Sequence, residues 1–117
     1  MKRDPVIHGA TYKIKPAVVE HALYVTINDV EKDGVRVPFE IFINTKNLEQ
    51  YEWIVALSVF ISAIWQGMGR VDYVIDELKS IHSPQGGYVR KGTDQRMHSV
   101  VCEIGHVIEQ HVKGLSI

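Results

Sequence analysis

The sequence predicts an α+β domain: a small antiparallel sheet of about three strands, followed by three helices packed on one face. Three observations carry this. Two alternating apolar runs between residues 21 and 44 are separated by Glu31-Lys32-Asp33-Gly34, and Asp-Gly between such runs marks a hairpin. Residues 53 to 65 then form an almost unbroken apolar run too long for an ordinary strand. From Val71 onward, apolar residues recur at the spacing of amphipathic helices. Strands first and helices after is the order of a layered α+β fold.

Taken in order, residues 1–10 read as a loose lead-in, and 11–117 as a single domain with no internal repeat or dividing linker. Thr11 to Lys15 alternates, with Tyr12 and Ile14 on one face, and Pro16 ends the run. In His21 to Val30, Leu23, Val25 and Ile27 face one way and Tyr24, Thr26 and Asn28 the other. The returning strand spans about Arg36 to Asn44. Phe39, Ile41 and Ile43 face the core, and Phe42 points away to pair across the strands with Tyr24. Pro38 lacks an amide donor, which places this strand at an edge or Pro38 at its start.

The first helix is expected over Leu48 to Gln66, with Asn47 as N-cap, Gln50 three residues on, and Gly67 or Gly69 as the stop. Eleven of the thirteen residues from Trp53 to Trp65 are apolar, and the other two are serines. A helix apolar on every side must be covered by other elements, a second copy or a partner. Burial at the centre of the chain's own core is expected. Ala56, Ser58, Ser62 and Ala63 would allow close approach, and Trp53, Phe60 and Trp65 would serve as anchors of an interface. With Met68 the run reaches about 16 residues, short of the ~20 that cross a bilayer. A second helix is expected over Val71 to Ser80. A glycine-containing loop follows from His82 to Thr93. The third helix starts near Asp94, with Met97, Val100, Val101, Ile104, Val107 and Ile108 as its stripe.

Composition narrows the function classes. The chain has 117 residues, 45% hydrophobic, with a formal net charge of −1. One domain of this length can bury a real core. No basic excess points to nucleic acid. The one cysteine, Cys102, permits no intrachain disulfide, and no apolar stretch follows the charged N-terminus as a secretory signal requires, so a cytoplasmic location is expected.

Chemistry-bearing patterns are sparse. Glu103 and His106 have the i, i+3 spacing of half a carboxylate-bridged di-iron site, but the carboxylates to complete one are missing from the first helix. His106 and His111 do not share a face. His82 and His98 lie on or beside the glycine-containing loop and, like His8 and His21, read as ordinary surface histidines, and no motif marks Cys102 as a nucleophile. No catalytic, metal or cofactor-binding residue is assigned. The segment from Gln85 to Arg96 carries Arg90, Lys91 and Arg96 against Asp94, and leads into the expected third helix, whose free amides attract anions. Arg90, Lys91 and Arg96 are therefore the candidates for anion or partner contact. It has no Gly-Lys-Ser/Thr ending, so it is not a P-loop.

Several segments in fixed order resemble a known module: residues 23–28 (LYVTIN), 38–44 (PFEIFIN), the apolar helix, 74–81 (VIDELKSI), 86–88 (GGY) and 103–109 (EIGHVIE). Together they resemble the TSCPD domain, the C-terminal region of adenosylcobalamin-dependent (class II) ribonucleotide reductases, over about residues 10 to 113. The resemblance implies a stand-alone, non-catalytic accessory or regulatory module of DNA-precursor synthesis. It would self-associate and bind a reductase catalytic chain. The Thr-Ser-Cys-Pro-Asp run that names the family is absent; Ile81-His82-Ser83-Pro84 stands after the second helix, without a cysteine. One cysteine and 117 residues cannot supply the radical chemistry of a reductase. The alternative reading is a module that senses a nucleotide or other anion through the loop 85–96.

Overall fold

The structure, a computed structural model, describes residues 3–69 and 71–115. Met1, Lys2, Arg70, Ser116 and Ile117 lie outside the described residues. Strands β1 (His8–Ile14), β2 (Leu23–Lys32) and β3 (Val35–Thr45) form an antiparallel sheet in the order β1-β2-β3. Helices α1 (Tyr51–Met68) and α2 (Val71–Lys79) follow. A short hairpin of β4 (Tyr88–Val89) and β5 (Arg96–Met97) then precedes helix α3 (Val100–Leu115). The α+β class is as the sequence predicts. The first strand starts earlier than expected: His8, Gly9 and Ala10, read as lead-in, pair with Asp29, Asn28 and Ile27.

The β2–β3 hairpin turns on Asp33 and Gly34, both at positive φ (53° and 82°), the conformation a type I′ turn requires. Leu23, Val25 and Ile27 are fully buried under α2 and α3, together with Ile41, Ile104, Val107 and Ile108. The register slips between Asn28 and Asp29, so that Asp29 faces Pro38 and Phe39 is an extra residue in β3. β3 is an edge strand, which is where Pro38 is tolerated. Phe42 lies opposite Thr26 and Tyr24 opposite Asn44, so the aromatic pair is diagonal.

The first helix departs most from expectation. It does not lie at the centre of the core but runs along the outer edge of β3, its main packing partner. Ser62 Oγ accepts from the Ile41 amide at 3.0 Å and lies 3.3 Å from the Ile41 carbonyl, and Gln66 Nε2 donates to the Phe39 carbonyl at 3.2 Å. These side chains satisfy backbone groups that an edge strand otherwise leaves open. Ser58 bonds back to the Ile54 carbonyl within the helix. Only Ile54, Ser58, Ile61 and Trp65 are buried. By length and composition α1 is apolar enough to cross a membrane, but that stripe and the two polar ties fasten it to the sheet.

Two helix starts also differ. The Asn47 side chain does not cap α1. It bonds the backbone of His21 at 2.9 and 2.8 Å, and α1 begins later, at Tyr51, ending on the left-handed Gly69. Helix α3 starts at Val100, not near Asp94, because Arg96 and Met97 pair with β4. Ser99 is its cap: Ser99 Oγ accepts from the Cys102 amide at 3.0 Å. Met97 is buried from the hairpin, beside Tyr88 and Cys102. Where α2 crosses α3, a Cβ on Gly105 would stand 3.0 Å from Leu78 Cβ and 3.2 Å from the Lys79 amide nitrogen.

One polar chain crosses the core. His111 Nε2 lies 2.8 Å from Asp29 Oδ1, Tyr12 Oη lies 2.7 Å from His111 Nδ1, and Arg36 reaches Asp29 Oδ2 at 3.4 Å. Asp29 and His111 are both buried. Replacing His111 with Ala strands a buried carboxylate beside one half-exposed arginine. The expected cost is about 3 kcal/mol or more in urea unfolding. The double variant Asp29→Val/His111→Leu should recover much of that loss, because an apolar pair leaves no unpaired charge. A double variant no more stable than His111→Ala would contradict this account.

Candidate functional site

Three features carry chemical potential: the outer side of α1, the basic recess between β1 and β4, and the Tyr12–His111–Asp29 chain. The third has the residue types of a nucleophile relay. Burial, and then the charge of Asp29, push the Tyr12 hydroxyl above the ordinary tyrosine range. That is the opposite of an activated nucleophile, and the Tyr12 hydroxyl instead holds the ring of His111 through Nδ1. None of these residues was singled out as functional from the sequence. The signal was present: Asp29 continues the inward series Leu23, Val25, Ile27, and His111 falls on the same α3 stripe as Ile104, Val107 and Ile108. A polar residue at a core position needs a partner.

On α1, Trp53, Val55, Val59, Phe60 and Ala63 are all exposed, with Glu52 beside them; Trp53 and Phe60 face away from the sheet, whereas Val55, Val59 and Ala63 border β3. Trp53 is 72% exposed and Phe60 66%. Trp65, expected as a third anchor, is 4% exposed and belongs to the core, because it shares the buried stripe of Ile54, Ser58 and Ile61. Its indole N–H has no hydrogen-bond partner among the described residues. Along the junction of α1 and β3 runs a groove of about 630 Å³, lined by Phe42, Tyr51, Val55, Val59 and Ala63.

Of the anion candidates, the structure brings Arg90 and Lys91 together and leaves Arg96 apart. Arg90 and Lys91 line a recess of about 240 Å³ whose other walls are Lys13, Ile14, Lys15 and Glu103. Arg96 lies in β5, exposed, and is not part of this recess. The expected support from helix amides is also missing, since α3 begins several residues later. The β1 lysines escaped sequence reasoning because nothing local links residues 13 and 15 to residue 90.

Beneath the recess, Glu103 is buried. Its Oε1 accepts a short hydrogen bond of 2.5 Å from Tyr88, and its Oε2 lies 3.4 Å from Arg90 Nε. Arg90 also donates to Gln110 Oε1 at 2.7 Å. Burial, then the bond to Glu103, drive the Tyr88 hydroxyl far above the ordinary tyrosine range. Glu103 thus holds the β4–β5 hairpin against α3 and does not meet His106. Burial and the charge of Lys79 lower the imidazole of His106. No three His, Cys, Asp or Glu side chains converge as metal ligands among the described residues.

A small antiparallel sheet with α2 and α3 on one face and α1 along an edge defines the class: an α+β module with an open helical flank. A family model for the TSCPD domain matches residues 2–112, nearly the whole chain, and the chain belongs to that family. Comparison with characterised proteins and with solved structures finds no match.

The outer face of the sheet is pinned by Glu40. Burial pushes this carboxyl up, but hydrogen bonds from Arg3 (2.8 Å) and Asn28 (2.8 Å) outweigh it, so its pKa falls below the ordinary carboxylate value. A depressed folded-state pKa gives stability that is present above the unfolded value, about 4.3, and lost as pH falls through the folded one. The Tm difference between the wild type and Glu40→Gln should therefore be largest near neutrality and shrink below about pH 4. A difference constant from pH 7 to pH 3 would show that the charge of Glu40 carries none of it.

Proposed function

We propose that this protein is a non-catalytic accessory module that pairs with a second copy through α1 and, in that form, docks on a ribonucleotide reductase catalytic chain. The observation that carries the self-association is the apolar outer arc of α1. Trp53, Ala56, Phe60, Ala63 and Gly67 follow one another at alternating spacings of three and four, the seam of a paired helix. Trp53 and Phe60 are each followed by an alanine, and the seam ends on Gly67. In a two-fold antiparallel pairing, the aromatic rings of one helix would meet the alanines of the other, a self-complementary contact.

Surface area supports the same reading. The accessible surface is 7601 Å², whereas a folded monomer of 13.3 kDa has about 6,450 Å². The excess is larger than the ~800 Å² that each partner contributes to a standard interface. The radius of gyration, 14.1 Å, also exceeds the ~13.4 Å of a domain this long, as expected when a helix flanks the sheet instead of covering it.

The reductase connection rests on the family alone, through the resemblance of the TSCPD domain to the C-terminal region of class II reductases. A non-catalytic role is supported by the structural engagement of Glu103 and His111. A cytoplasmic location belongs to the same proposal, since reductase chemistry takes place there.

Light scattering after size exclusion should give a dimer at micromolar concentration, and Phe60→Asp, at a residue 66% exposed within the chain, should give a monomer that keeps the wild-type circular dichroism spectrum and loses the rise of the unfolding midpoint with protein concentration. A wild-type monomer at these concentrations would remove the self-association. Separately, the tagged protein should retain a class II reductase catalytic chain from its own cell extract. Failure to retain that chain would remove the partner and leave the dimer standing.

A further inference from the structure

We propose that the recess between the end of β1 and the loop after β4 binds a phosphate or pyrophosphate group of a small molecule. This is independent of the pairing through α1. Lys13 and Lys15 flank Ile14 on β1, and Arg90 and Lys91 follow Val89 of β4, so residues more than seventy positions apart place four cations around about 240 Å³. The whole chain carries a net charge of −1, so this concentration is local.

The only carboxylate in the wall is Glu103, and it is committed. It is buried, bonded by Tyr88 and paired with Arg90 at 3.4 Å. That pairing neutralises Arg90 and leaves the three lysines uncompensated. No carboxylate lies within ion-pair distance of Lys13, Lys15 or Lys91 among the described residues. Lys15 is further positioned by its Nζ donating to the Val19 carbonyl. The wall is therefore tied from below by the Tyr88–Glu103–Arg90–Gln110 set, while Lys13 and Lys91 are exposed and Lys15 is half-buried.

Three uncompensated ammonium groups select a multiply charged anion over a single carboxylate, since attraction grows with ligand charge and each lysine acts as a point charge. No aromatic ring lines the recess, so it reads the phosphate end of a ligand and not a base. The volume suits one or two phosphoryl groups.

The test is calorimetric titration of the full chain with inorganic pyrophosphate at constant ionic strength. Saturable one-site binding is expected, and Lys13→Gln/Lys91→Gln should weaken it roughly tenfold or more through the loss of two charge-assisted contacts. Arg96→Gln, outside the recess, should bind as the wild type does. All these side chains are exposed, so circular dichroism and the unfolding midpoint should match across the variants. The proposal is overturned by an absence of saturable binding, by a double variant that binds like the wild type, or by equal loss in Arg96→Gln. Binding only to a long oligonucleotide, with none to pyrophosphate, overturns it as well.

Discussion

The free edge of β3 is the constraint from which the shape of this molecule follows. A three-stranded sheet has two edges, and an uncovered edge invites pairing with other chains. Here α1 lies along that edge, with Ser62 and Gln66 answering the backbone groups of Ile41 and Phe39. A helix in that position can bury only one narrow stripe. The face of the sheet is already occupied by α2 and α3, so the rest of α1 looks outward. Protection of the strand and exposure of the helix are thus two results of one placement.

The same division of labour appears in the polar ties. Apolar packing joins α2 and α3 to the sheet but specifies register only loosely. Asp29, His111 and Tyr12 add directional contacts between the sheet and the end of α3, and Glu103 with Tyr88 and Arg90 does so for the β4–β5 hairpin. These interior polar residues hold elements in place. The recess above Glu103 gains its floor in this way.

Much of the fold is written in local pattern. The period-two alternation of Leu23, Val25 and Ile27 and the Asp33-Gly34 turn specify the hairpin, and the α2 and α3 stripes specify two amphipathic helices. What failed did so for physical reasons. Hydropathy says that Trp53 to Trp65 must be covered, but not by what, so a central position and an edge position look alike in sequence. Trp65 and Phe60 are equally apolar, and only the angle around the helix separates the core residue from the exposed one. Arg96 and Met97 fit a helical stripe as well as a two-residue strand, and the pairing with Tyr88 and Val89 decided between them. The recess was legible only in part, because Arg90 and Lys91 are local to a loop whereas Lys13 and Lys15 reach it through tertiary structure.

Cys102 is the single thiol of the chain, 1% exposed, and sealed behind Tyr88 and Met97 at the start of α3. A thiol in that position meets an alkylating reagent only when the hairpin lifts or the whole domain opens. The protein therefore carries its own reporter of breathing motions under the β4–β5 hairpin, readable as a labelling rate without any engineered probe.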